Sequence, residues 1–362
     1  MRLKRLEAEH YRNISHAVLE PGPELTVICG ENGQGKTNLL EAVWLLTGSK
    51  SFRGAKDAEL IAQNESVARL LGETESDGME KKIRVTVAGA QPGMKKGRTA
   101  QVNGVDYGRA TAIAGIFTAV VFEPGHLTLV KGSPEGRRRF LDAALCQLYP
   151  GYLSVFRRYH RQLTQKNALL KLYHKTQGAS ALLDVFDEEL ARLGEQMMHR
   201  RQEYLAVICP EIYRTYHDIS GGREALRVEY RPTCAKGQFL DTLLQNRRRD
   251  VAAGFCTVGP HREDFELFLD DRPAKIYASQ GQQRSIVLSM KLAEAAGTKE
   301  ITGEHPVMLL DDVLSELDEN RQRYLLSRME HRQTLVTACD TAAFARTDGR
   351  IYRMHDGVLS PG

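Results

Sequence analysis

Eight consecutive residues, Gly30-Glu31-Asn32-Gly33-Gln34-Gly35-Lys36-Thr37, fit the G-x-x-x-x-G-K-[ST] pattern of a phosphate-binding loop. The pattern constrains the fold because it works only between a buried strand and a helix. Residues 24–29 read as that strand, and residues 38–46 as that helix, with Leu39, Leu40, Val43 and Leu46 on one face. The glycines let backbone N–H groups turn inward onto phosphate oxygens, and the helix N-terminus adds its partial positive charge. Lys36 is placed to reach the β- and γ-phosphates, and Thr37 to offer its hydroxyl to Mg²⁺. ATP with Mg²⁺ is the expected ligand.

A chain of 362 residues with a 42% hydrophobic share has a sizeable core in one large domain or two. Its start, Met1-Arg2-Leu3-Lys4-Arg5-Leu6, has no apolar run, so no secretory leader is expected. Residues 113–122 are apolar but too few to span a bilayer. Six scattered cysteines without a C-x-x-C fit a reduced cytosol and argue against a disulfide framework or a zinc site. The net charge of +4 is unevenly placed. Residues 131–161 carry Lys131, Arg137, Arg138, Arg139, Arg157, Arg158 and Arg161 against only Glu135 and Asp142. Further basic clusters are Arg247-Arg248-Arg249 and Lys95-Lys96 with Arg98. A partner with a regular negative backbone explains such a distribution.

The first 122 residues read as mostly β around one helix, with Val102-Asn103-Gly104-Val105 as a type I′ hairpin turn and residues 116–122 as a further strand. The middle reads as helical. Leu183, Phe186, Leu190, Leu193 and Met197 form one seam, and Phe156, Leu163 and Leu170 another. With Gly178 as a stop and Ser180 as an N-cap, the expectation is an antiparallel helical hairpin of about 25 residues per arm. From residue 279 the α/β pattern returns: a helix over 280–296 ending at Gly297, a buried strand over 307–310, a helix over 318–329, a strand over 334–338 and a closing hairpin.

The strand over 307–310 runs into Asp311 and Asp312, which is what a phosphate-loop ATPase needs opposite its loop. Asp311 is suited to hold Mg²⁺, an ion that prefers oxygen ligands, and Asp312 to polarise the attacking water. Between the two halves lies Ser279-Gln280-Gly281-Gln282-Gln283-Arg284, which resembles the signature loop of ABC ATPases in a Gln-Gly-Gln variant. Ser279, Gly281 and Gln282, opening a helix, make a second γ-phosphate receptor. Ser315-Glu316-Leu317-Asp318 resembles their D-loop.

The resemblance extends along the chain. Tyr11-Arg12-Asn13-Ile14, Phe122-Glu123-Pro124, Leu129-Val130-Lys131-Gly132-Ser133-Pro134, Arg137-Arg138-Arg139-Phe140-Leu141-Asp142 and Gly259-Pro260-His261-Arg262-Glu263-Asp264 are similar to blocks of the RecF family, in the SMC/Rad50-like ABC group. The resemblance implies a cytoplasmic DNA-binding ATPase of repair. Such a protein dimerises on ATP, binds duplex or gapped DNA, and acts with RecR and RecO to load RecA and support the SOS response. It implies an α/β fold, an ABC-type ATPase head. One lobe, residues 1–125 and 286–362, holds both Walker motifs, and an inserted helical lobe, residues 126–285, holds the signature.

The same resemblance puts Arg12 and Asn13 by the nucleotide and Glu123 where ABC proteins use a Q-loop glutamine. Thr337-Ala338-Cys339-Asp340 lacks the switch histidine of transporters, and Asp312 replaces the usual Glu, which implies slow hydrolysis. Glu263 stands where Asp is expected. Trp44 reads as core. His261 is open between a loop role and phosphate or dimer contact. Arg137, Arg138 and Arg139 are the candidate DNA contacts. The rival classes are the ATP-binding subunit of a membrane transporter and an ATP-gated DNA clamp that barely hydrolyses.

Overall fold

Buried and exposed positions alternate along much of the first strand, the period-two pattern of an element with one face on a core. The computed structural model describes residues 1–89, 96–339, 344 and 349–362. Along the chain, β1 (Arg2–Tyr11), β2 (Ile14–Leu19) and β3 (Leu25–Cys29) lead into α1 (Lys36–Leu45). Four antiparallel strands follow, β4 (Val67–Ser76), β5 (Met79–Ala88), β6 (Gly97–Val102) and β7 (Val105–Arg109), then β8 (Ala119–Phe122). Asn103 and Gly104, at φ 51° and 82°, form the expected tight turn between β6 and β7.

The middle contains α2 (Thr128–Lys131), α3 (Pro134–Leu148), α4 (Tyr152–Lys171), α5 (Ala179–Ser220), β9 (Leu226–Arg231), α6 (Phe239–Ala253), β10 (Asp264–Leu269), β11 (Arg272–Pro273) and α7 (Ala274–Tyr277). The last stretch holds α8 (Gln280–Thr302), β12 (Val307–Asp311), α9 (Glu319–Ser327), β13 (Thr334–Ala338), β14 (Arg350–His355) and β15 (Val358–Pro361). Lys95 and Asp340 fall outside the described residues.

The chain divides into two compact units, Met1–Leu127 with Arg284–Gly362, and Thr128–Gln283. The first has two six-stranded sheets. One is antiparallel, in the order β2-β1-β4-β5-β6-β7, and the other, β15-β14-β3-β13-β12-β8, is parallel except for the hairpin strand β15. Helix α1 packs on β1 of one sheet and on β12 and β13 of the other. That explains why Leu39, Leu40, Ala42, Val43, Trp44 and Leu45 are all buried. A helix covered on both sides needs apolar residues all round. It begins at Lys36, two residues earlier than its apolar pattern indicates.

In the second unit, α4 and α5 pair as a hairpin, but the arms are unequal. Arm α4 has 20 residues and α5 has 42, against the expected 25 each. The extension of α5 packs beside β9, where Tyr213 OH bonds the Val228 backbone, and Leu205, Ile208, Ile212 and Tyr216 along it are buried. Gly178, at φ 72°, is the left-handed N-cap of α5, and Ser180 lies inside the helix. A buried ion cluster ties the arms together: Lys166 Nζ lies 2.7 Å from Asp187 and 3.1 Å from Asp250 of α6. Helix α8 runs through Gly297 to Thr302. A helix-interior glycine costs about 1 kcal/mol, and burial of the surrounding turns outweighs it. Among the described residues no helix is long and apolar enough to cross a membrane.

Candidate nucleotide site

The loop between β3 and α1 is built on glycines because no other residue fits. A Cβ on Gly30 (φ 151°) would sit 2.3 Å from the Met354 carbonyl oxygen, and one on Gly35 (φ 110°) 2.9 Å from Asn13 Oδ1. Gly33, at φ 84°, needs only the backbone freedom. Gly35 caps α1 without a side chain over its first N–H groups, the arrangement that receives an anion. Lys36 Nζ donates to the carbonyls of Gly30 (2.5 Å) and Glu31 (2.8 Å), so its ammonium is held over the loop. The turn after β14 braces the loop from outside. Asp356 N–H donates to Gln34 Oε1 (2.5 Å) and Gly357 N–H to the Gln34 carbonyl (3.0 Å). Asn32 Oδ1 accepts from the Cys339 thiol at 3.4 Å.

The parallel sheet delivers the second half. Strands β3, β13 and β12 lie side by side, so Thr37, Thr337 and Asp311 converge at their C-terminal ends. Both hydroxyls donate to Asp311 Oδ1, Thr37 at 2.8 Å and Thr337 at 2.9 Å. Burial raises the Asp311 carboxyl above its ordinary range, and the two hydroxyls pull it back. Asp312 follows at φ 51°, a left-handed backbone that costs a non-glycine residue free energy. Its N–H donates to Thr337 Oγ1 (2.9 Å), and its carbonyl accepts from Ser315 of the D-loop (2.7 Å).

Strand β8 pairs with β12 in parallel, Phe122 opposite Leu310, so Glu123 and Asp311 leave the sheet side by side. Burial, and then the Asp311 charge, push the Glu123 carboxyl up to about 7, against the pull of Lys291 and Arg53. The carboxyl at the end of β8 is thus held well above its ordinary range.

Glu41 and Arg53 at the site carry no motif in the sequence. Glu41, fully buried in α1, accepts from Tyr11 OH (2.7 Å), Arg12 Nε (2.6 Å) and Ser51 Oγ (2.5 Å). It thereby holds Arg12, which the resemblance puts by the nucleotide, through Nε alone. The signal was available: Glu41 is a lone charge in the run Leu39-Leu40-Glu41-Ala42-Val43. Arg53 donates to Asn38 Oδ1 (2.9 Å), Asn38 donates to Asn13 Oδ1 (2.7 Å), and the Arg53 charge acts on both Asp311 and Glu123. Nothing in the local pattern of Ser51-Phe52-Arg53-Gly54 marks that role.

The signature turn opens α8. Ser279 Oγ accepts from Gln282 N–H at 3.3 Å, and Gln282 Oε1 accepts from Ser279 N–H at 2.7 Å. Ser279 and Gln280 are exposed, and Gly281 and Gln282 partly so. Further along, Arg284 pairs with Glu316 of the D-loop (2.7 Å), and Arg321 Nε donates to Ser285 Oγ (2.8 Å).

The basic block behaves unevenly. Helix α3 opens at Pro134 with Glu135 in its first turn. Arg137 is buried. It binds both carboxylate oxygens of Asp264 at 2.7 Å and the carbonyls of Leu129 and Gly132 at 3.1 Å. A guanidinium so engaged braces this unit, with its donors taken up within the chain. Arg138 is half-buried and donates to the Glu263 carbonyl (2.7 Å), while Arg139 is exposed and pairs with Glu135. Arg247 is likewise taken by Asp184 and Asp187 at 2.7 Å each, and Arg248 and Arg249 are exposed. Glu263 is buried against Arg201 and Tyr230. His261 is internal: Nδ1 accepts from Tyr159 OH (2.7 Å) and Nε2–H donates to the Cys256 carbonyl (3.1 Å). Burial pushes its ring down to about 4.

A family model described as RecF/RecN/SMC N terminal domain matches residues 2–358. The DNA replication and repair protein RecF of Heliobacterium modesticaldum is 39% identical over 373 residues, which cover 99% of this chain and 99% of that protein. A solved structure of the recombination mediator protein RecF with ATP, in the RecFOR pathway, aligns with a TM-score of 0.91 at 31% identity, covering 99% of this chain and 97% of that one. An SMC head bound to the C-winged helix domain of ScpA aligns at 17% identity with a TM-score of 0.56, covering 99% and 96%, and shares the ATPase-head fold alone. Because the identity is spread over the full length and not confined to the phosphate loop, the chain belongs to the RecF family of ABC-type ATPases.

Proposed function

We propose that this chain is an ATP-driven DNA-binding protein of recombinational repair and replication-gap processing. It dimerises on ATP, grips DNA, and hydrolyses ATP slowly to ADP and phosphate. The single observation that carries the reading is the convergence of Lys36, Thr37 and Asp311, with Thr337 fixing the carboxylate.

In this reading Lys36 exchanges the Gly30 and Glu31 carbonyls for phosphate oxygens. Thr37 and Asp311 would hold Mg²⁺, and an all-oxygen donor set suits that hard cation. When bound there, the ion would supply charge neutralisation on the phosphates. Asp312 orients and polarises the attacking water, and its short side chain keeps turnover low. Ser279, Gly281 and Gln282 receive the γ-phosphate held by a second copy, so two chains complete each site. Arg138 and Arg139 meet the phosphate backbone without reading bases.

RecR and RecO are the proposed partners, and RecA the indirect one, because the aligned RecF structure is named as part of the RecFOR pathway. The cytoplasm is the proposed location. The transporter-subunit alternative gains no support from the relatives. A gel shift on duplex, single-stranded and gapped DNA, with and without ATP, tests the proposal. Affinity that rises with ATP on duplex or gapped substrates supports it. Binding that ignores nucleotide overturns it.

A further inference from the structure

The first turn of α8 is tied to a second element by a chain of three side chains, Gln282, Glu224 and Tyr216. Gln282 uses its amide oxygen for Ser279 N–H (2.7 Å) and its amide nitrogen for Glu224 Oε1 (2.7 Å). The other carboxylate oxygen of Glu224 accepts from Tyr216 OH at 2.6 Å. Tyr216 is buried near the end of α5, and Glu224 lies between α5 and β9. Glu224 and Gln282 are 58 positions apart.

An amide side chain has one accepting end and one donating end, and a carboxylate only accepts. Glu224 therefore decides which way Gln282 faces. With the amide reversed, its NH₂ would oppose Ser279 N–H, donor against donor, and the reciprocal cap would be lost. The cap also sets the Ser279 hydroxyl. Its oxygen accepts from Gln282 N–H (3.3 Å), which leaves its own hydrogen to donate outward.

We propose that Glu224 is a positioning residue for nucleotide-driven association. It holds the Gln282 amide so that Ser279 and the N-terminus of α8 stand ready for the γ-phosphate carried by a second copy. The inference rests on the reading above, in which this turn receives that nucleotide. Without Glu224 the cap forms only part of the time, and apparent affinity falls by the fraction of time the competent arrangement is lost.

Three full-length variants test this, E224A, E224Q and S279R, with dimerisation followed by sedimentation in a slowly hydrolysed ATP analogue. Monomer nucleotide affinity by calorimetry and thermal unfolding are the companion readouts. E224A is expected to weaken dimerisation about tenfold, a competent fraction of roughly one tenth, while nucleotide affinity stays parental and melting falls only slightly, because the Tyr216 hydroxyl loses an acceptor. E224Q keeps an oxygen that accepts from Gln282 and is expected to return to within about twofold. S279R is expected to block dimerisation outright. A parental dimer in S279R would sink the signature reading itself. A blocked S279R beside an E224A that dimerises like the parent overturns the role of Glu224 alone. So does an E224A that loses nucleotide affinity and melting temperature along with dimerisation and is not rescued by E224Q, because that pattern belongs to a fold brace.

Discussion

The Thr37 hydroxyl donates to Asp311 Oδ1 over 2.8 Å, although the two residues are 274 positions apart. The bond joins the phosphate loop to the acidic strand end, and strand order alone makes it possible. Strands β3 and β12 each pair with β13, so their C-terminal ends open onto one crevice.

Lys36→Ala is expected to lower MgATP affinity by about two orders of magnitude, near the upper range for a charge-assisted hydrogen bond. Calorimetry on the intact chain reads this directly. A variant that binds MgATP as tightly as the parent would show that the loop is not the nucleotide site.

Glu123 carries the pH dependence. Its carboxyl is raised to about 7, so the folded chain holds a proton there that the unfolded chain has released. The stability contribution of this group is present below about pH 4.5 and lost as pH rises through 7. Deprotonation also adds negative charge beside Asp311, which favours a divalent cation. MgATP affinity is therefore expected to rise between pH 6 and 8, and Glu123→Gln to flatten that rise. A parental pH profile in the variant removes Glu123 from the site.

Arg137 and its two neighbours are expected to fail differently. Arg137→Gln breaks a buried ion pair with Asp264 and should cost about 3 kcal/mol of stability in denaturant unfolding. Replacing Arg138 and Arg139 together by Gln should leave stability close to parental. It should flatten the dependence of log DNA affinity on log salt by up to about two contacts. If the slope stays parental, this segment is not the DNA surface, and Arg248 and Arg249 become the better candidates.

His261 sets an acid limit. Its ring is held down to about 4, mainly by burial, against an ordinary value near 6.5. Below pH 6.5 the unfolded chain takes up the proton first. The stability tied to the neutral ring is thus present above 6.5 and lost as pH falls through 4, a change of about 3 kcal/mol. His261→Gln should show a shallower loss over that interval in urea unfolding. An identical acid profile would mean that the ring is not held neutral.

The phosphate loop, the Asp311-Asp312 strand end and the Ser279 turn that opens a helix were legible in the sequence because each is local. Glycine is demanded at fixed φ, a buried strand must be apolar, and a Ser with Gln three residues on caps a helix. The same locality exposed the α/β pattern on both sides of a helical middle. What sequence could not decide was partnership at long range. Arg137, Arg138 and Arg139 are three identical residues in a row, yet helical geometry and the position of Asp264 bury the first and leave the third in solvent. Helix α5 outran its expected length, with β9 packed beside its second half, and α8 ran through Gly297 because its surroundings are buried. Glu123 has no local mark of its raised carboxyl, which comes first from burial and then from the Asp311 charge that strand pairing brings beside it. Periodicity and loop chemistry are written in neighbouring residues. Burial and charge pairing depend on which distant segment arrives, and only the folded chain settles that.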